Sequence, residues 1–212
     1  MIRFISVLSA VFLATTVAAQ DDADIAAKFT VAGETLIYDT ENLSDAEIET
    51  DDIDHLLKLL RGNESIKTVE LNSGGGSIYA GIEMARIIID FELDTLVNGE
   101  CASSCVRMFL GGYNRQMTLG SKIGFHQAQW SPGNNQGYYE DWAENEGWDT
   151  PFDFASWLYE DTQREFHEDL TFMIDRGVDA AFAAKAKGTP NADMWYPTRT
   201  ELTLARVLRL QE

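Results

Sequence analysis

Apolar residues recur along this chain at two periods, and the switches between them predict its elements. Thr35–Tyr38 (TLIY) reads as a short strand. Asp51–Arg61 carries Ile53, Leu56, Leu57, Leu59 and Leu60 at helical spacing, and Gly62 ends it. Val69-Glu70-Leu71 reads as a second strand that runs into Gly74-Gly75-Gly76. Ser77 is placed to cap a helix whose apolar residues include Ile78, Ile82, Met84, Ile87 and Ile88. Thr95-Leu96-Val97 is a third strand, closed by Asn98-Gly99. A short helix over about Ser103–Leu110 stops at Gly111-Gly112, and Ile123-Gly124-Phe125 is a strand ending at His126. Strands and helices in alternation imply βαβ units with parallel strands, an α/β fold. Such sheets keep their chemistry in the turns at the carboxyl ends of the strands.

The flanking regions are less regular. Residues 20–33 read as a polar leader. Residues 128–150 break the pattern, with five acids, no base, and Trp130, Tyr138, Tyr139, Trp142 and Trp148. They read as an insert, either a lid over a site or a plain surface loop. Phe152–Arg176 is a long helical stretch whose aromatics suit core or a subunit interface. Asp193–Pro197 reads as a last short strand and Glu201–Leu210 as a terminal helix.

The first 19 residues, MIRFISVLSAVFLATTVAA, follow another rule. One Arg precedes an uncharged apolar run from Phe4 to Val17, and small Val17 and Ala19 stand before Asp21-Asp22. That is the pattern of a secretory signal cleaved after Ala19, and the run is short of the roughly 20 residues a spanning helix needs. Residues 20–212 are then expected to form one domain in the periplasm or outside the cell, in no membrane. Acids outnumber bases 35 to 16, which argues against nucleic acid and anionic membranes as partners. Three histidines, at 55, 126 and 167, show no metal-site spacing, so no metal is expected. Cys101 and Cys105 stand four apart in a chain expected to meet an oxidising compartment. A bridge that fixes their turn and two small buried residues are equal readings.

A hydroxyl nucleophile for acyl transfer needs a base, a group that orients the base, and N–H donors where the oxyanion develops. Ser103 and Ser104 sit at a strand-to-helix turn, where helix N–H groups are unpaired. The glycines at 74–76 offer further N–H groups with no side chain in the way, and His126 ends a neighbouring strand. Each feature alone has an ordinary reading, as turn, cap or packed imidazole. Their order along the chain points to acyl transfer.

The strings LNSGGGSIYAGIEMARII, GECASSCVRMFLGG and IGFHQ resemble the proteolytic subunit of Clp proteases and its exported relatives, within the ClpP/crotonase superfamily. The match covers about residues 66–127. The resemblance implies a spiral of repeated β-β-α units and serine-type peptide hydrolysis through an acyl-enzyme. It puts the nucleophile on Ser103, the base on His126, and the oxyanion N–H groups on Gly75 or Gly76 and on Ser104. The orienting acid falls on Asp193, within DMWYPTRTEL. No cofactor is implied, a peptide or protein is the substrate, and a homo-oligomer is in keeping. Gly74 stands where the family has proline, the two cysteines flank the nucleophile, and export removes the family's cytosolic ATPase partner. Two rivals stand beside this reading: an inactive binding or assembly module of the same fold, and a crotonase-like acyl-CoA enzyme. Export and the Ser–His pair argue against the second.

Overall fold

A computed structural model describes residues 23–44 and 46–210; the signal expected over 1–19 lies outside them. Six strands form one sheet: β1 (Phe29–Ala32), β2 (Thr35–Asp39), β3 (Thr68–Ser73), β4 (Asp94–Ala102), β5 (Arg115–Met117) and β6 (Lys122–Gly124). Their order is β1-β2-β3-β4-β5, with β6 also on β4. The β1–β2 hairpin is antiparallel and every other pairing is parallel. Along β3, Val69, Leu71 and Ser73 are buried while Thr68, Glu70 and Asn72 are half-exposed, the period of two of a pleated strand.

The helices are α1 (Asp52–Gly62), α2 (Ile78–Asp90), α3 (Ser104–Gly111), α4 (Pro132–Glu146), α5 (Pro151–Asp175), α6 (Ala180–Lys187) and α7 (Arg199–Leu204). Ser77 caps α2 as expected, accepting from the Ala80 N–H. The helices α2 and α3 meet at Gly81, where a Cβ would lie 2.8 Å from the Ser104 carbonyl oxygen. Bare backbone there lets α2 seat against the start of α3.

The stretch read as a polar leader enters the sheet as β1. Lys28 looks polar in sequence but is 4% exposed. Its ammonium donates to the Glu47 carbonyl at 2.8 Å and pairs with Asp52 at 3.1 Å. A buried cation is tolerated when its donors are met in this way. Asn98-Gly99 does not end β4 either. Gly99, at φ +120°, carries the strand through an irregularity, and Asn72 Oδ1 accepts from the Glu100 N–H at 2.9 Å. A Cβ on Gly99 would lie 2.2 Å from that oxygen. The pair therefore marks a bulge rather than a stop. The first half of β4 pairs with β5 and the second with β6.

β5 escaped the sequence reading because its buried anchor is an arginine. Arg115 is 1% exposed and donates to the carbonyls of Leu110, Arg176, Arg206 and Val207. Burial, with Arg176 and Arg209 nearby, lowers its pKa to about 9. The expected insert contains α4, capped by Ser131 and closed by left-handed Gly147. It buries no residue, so no apolar stripe announces it. Alanine-rich α6 was likewise unread. The strand expected at Asp193–Pro197 is one bridge, Trp195 to Phe125, and the terminal helix is only α7. No helix among the described residues is long and apolar enough to cross a membrane.

Candidate active site

β4 ends at Ala102 and α3 begins at Ser104, so Ser103 alone makes the corner. It does so at φ 55° and ψ −126°, a region sparsely populated for any residue with a Cβ. The surroundings hold it there. Its N–H donates to the Gly124 carbonyl at 3.1 Å, and Cys101 and Cys105 are bonded across it. Both cysteines are fully buried. Ser103 is left half-buried at the edge of two cavities, whereas Ser104 is buried and its Oγ has no partner among the described residues.

The glycine turn is shaped around this corner. A Cβ on Gly75 (φ +114°) would lie 2.7 Å from Ser103 Cβ and 3.3 Å from its Oγ. On Gly76 (φ +144°) it would lie 2.5 Å from the Ile48 carbonyl oxygen. Gly75 thus makes room for the serine, and Gly76 makes room for the segment that crosses above it. That segment is pinned, Ile48 N–H to the Gly75 carbonyl at 2.9 Å and Ser77 N–H to the Ile48 carbonyl at 2.8 Å. The donors of the turn are not equivalent. Gly74 N–H donates to Glu41 and Gly75 N–H to Ser73 Oγ, at 2.7 and 3.2 Å. Among the described residues nothing accepts from the Gly76 N–H. Ser104 opens α3, where an N–H has no acceptor within the helix.

His126 follows β6 by two residues and is half-buried. Its Nδ1 lies 3.1 Å from Asn191 Nδ2, which also donates to the Gln127 carbonyl at 3.0 Å. Asp193, expected in this place, is exposed, and its N–H closes a turn on the Pro190 carbonyl at 3.0 Å. The ring therefore meets an amide, two residues earlier in the chain, and nothing in the string TPNAD marks it. The pKa of His126 is lowered by burial first and by nearby Lys187, while hydrogen bonding to the Asn191 backbone pulls the other way. That differs from the raised pKa a carboxylate would impose.

Ser103 and His126 line the same two cavities. A cleft of about 460 Å³ on one side is bounded by Gly74, Gly75, Gly76, Glu41, Glu47 and Met194. A cavity of about 80 Å³ on the other side has apolar walls from Val106, Leu110, Phe172 and Met173. It also holds Arg107, Asp169 and Lys187, three charged groups that sequence reading did not bring together. No group of His, Cys, Asp or Glu among the described residues is placed to hold a metal ion.

No protein-family model matches this sequence. No curated protein matches it either. Solved structures do. ClpP1 from Listeria monocytogenes superposes with a TM-score of 0.58 at 15% identity, covering 90% of this chain and 93% of that one. An asparagine-to-aspartate mutant of ClpP1 from Listeria monocytogenes gives 0.53 at 17% identity, with the same coverage of 90% and 93%. The parallel sheet with its crossover helices is thus a ClpP-like, ClpP/crotonase-type α/β fold.

Proposed function

With a ClpP-like fold as the premise, we propose that this protein is a serine-type peptide hydrolase that works through an acyl-enzyme. Ser103 Oγ attacks the scissile carbonyl and passes its proton to His126 Nε2. The tetrahedral oxyanion is held by the N–H groups of Gly76 and Ser104. His126 returns the proton to the leaving amine, and water then cleaves the ester by the same steps. Asn191 takes the orienting place expected of Asp193. The observation that carries the reading is the strained corner at Ser103, with bare Gly75 packed against its side chain. Backbone strain of this kind costs on the order of 1–3 kcal/mol and persists where surrounding structure over-determines it.

Location outside the cytoplasm belongs to the same proposal. It is supported by the signal pattern at 1–19 and by the bonded cysteines. Exposed Phe152, Tyr159 and Phe166 along α5 support self-association.

One observation favours a second reading, a non-catalytic binding module of the same fold. With Asn191 Nδ2 donating to Nδ1, the ring proton sits on Nε2 and the ring cannot accept one from Ser103. Catalysis requires the other tautomer, with Asn191 accepting from Nδ1–H. A fluorophosphonate probe on the purified mature chain separates the two. The expected adduct is on Ser103, lost in Ser103→Ala and kept in Ser104→Ala. An unlabelled, folded protein supports the binding module.

A further inference from the structure

We propose that the small cavity beside Ser103 receives a carboxylate of the substrate residue next to the scissile bond, carried on its side chain or on the chain end. The proposal rests on the hydrolase reading for its location and on the cavity's own charges for its chemistry. Arg107 lies one helical turn beyond Ser103 on α3, Asp169 is on α5, and Lys187 ends α6. Asp169 pairs with both cations, Oδ1 with Arg107 and Oδ2 with Lys187. All three side chains are mostly buried, at 17%, 28% and 20% exposure for Arg107, Asp169 and Lys187. Two cations therefore share one anion, and the cavity is left with one positive charge in a chain of net charge −19.

The donors are also unfilled. Arg107 Nε is buried with no hydrogen-bond partner among the described residues. The guanidinium cannot swing away to find one, because it lies 4.2 Å over the Phe172 ring and is held by Asp169. Lys187 has three donors and, among the described residues, one side-chain partner, Asp169. Burial and the neighbouring Arg107 lower its pKa to about 8, and burial and Arg86 lower that of Arg107. A second carboxylate would oppose both shifts and meet the open donors. Glu165 and Glu168 line a wider groove of about 520 Å³ that Arg107, Asp169 and Lys187 also line, and Glu168 partly offsets the lowering at Arg107. Neither glutamate lines the small cavity, and the ion pairs of both cations are with Asp169. The apolar walls from Val106, Leu110 and Met173 suit the methylene groups that carry a side-chain carboxylate.

The test reads binding, not turnover, so it is independent of whether Ser103 reacts. Ser103→Ala protein is titrated calorimetrically with acetyl-Ala-Ala-Xaa amides, where Xaa is Glu, Gln or Leu, and with free-acid acetyl-Ala-Ala-Ala. Glu or the free acid is expected to bind about tenfold or more tighter than Gln, the scale of one charge-assisted hydrogen bond. Which of the two does so identifies the source of the carboxylate. Adding Lys187→Met should erase the difference. Adding Asp169→Asn, which removes the competing anion, should widen it. The two variants move in opposite directions, so loss of fold in one leaves the other decisive. Equal affinity for Glu, Gln and the free acid, or tightest binding of Leu, overturns the proposal. Failure of fluorophosphonate labelling with carboxylate preference intact would overturn the hydrolase reading alone.

Discussion

Asn191 is the residue on which the candidate site turns. A carboxylate only accepts hydrogen bonds, so it fixes the Nδ1–H tautomer of its histidine, whereas an amide can face the ring with either end. In serine triads, aspartate exceeds asparagine at this position by about 10⁴ in turnover, for that reason. Asn191→Asp is therefore expected to speed fluorophosphonate labelling of Ser103 by tenfold or more, a conservative fraction of that effect. It should also move the acid limb. The ring must be neutral to act, so labelling falls as pH drops through the His126 pKa. In the native chain burial and Lys187 place that limb below the ordinary value of about 6.5. A carboxylate at 191 stabilises the imidazolium and shifts the limb to higher pH. Asp193→Asn should leave rate and limb unchanged; a downward shift of the limb there would return the orienting role to Asp193. The glycines were legible as a group through their order along the chain with the serines and His126. Which of them keeps an open N–H was not, because it depends on Ser73 and Glu41 reaching back to its neighbours.

At the scale of elements, the β4–α3 junction is held by a bridge closed over a very short loop. Such a loop removes little chain entropy, worth about 2 kcal/mol in the loop-closure account. The Cys101→Ala/Cys105→Ala chain should thus lose only a few degrees in Tm, while its Ser103 corner is freed to relax. A displacement near 1 Å at a reacting atom costs on the order of 10² in rate. Labelling of Ser103 should fall by about that factor in the double variant, with a near-native circular dichroism spectrum. Unchanged labelling would make the bridge incidental to the site. Sequence patterning located this junction because a strand period gives way to a helix period around it. It missed the continuation of β4 through Asn98-Gly99, since a bulge and a strand end look alike until the neighbouring strand is known.

Across the whole molecule, stability is unevenly distributed. β3 and β4 lie in the middle of the sheet with Val69, Leu71, Val97 and Cys101 fully buried. α4 buries nothing and meets α5 through ring contacts, Tyr138 on Trp157 at 5.6 Å and Tyr139 on Phe154 at 5.8 Å. Segments with so little burial open locally. Amides of α4 should exchange with solvent far faster than those of β3 and β4, whose exchange should follow global unfolding. Equal protection by hydrogen-exchange mass spectrometry would show that another surface covers α4. The periodicity of the chain by itself was enough for the parallel α/β core and for the turns at its strand ends, because burial on one face writes apolar spacing into the local sequence. It was enough, too, to put Ser103, Ser104, His126 and the glycines at strand ends, while the choice of Ser103 over Ser104 came from the resemblance to the Clp proteolytic subunit. Only the tertiary structure decided that Asn191 meets His126, that Arg107, Asp169 and Lys187 share one cavity, and that Lys28 and Arg115 are buried. Those arrangements join polar residues from distant segments, and a polar residue carries no mark in sequence of the partner that will make its burial tolerable.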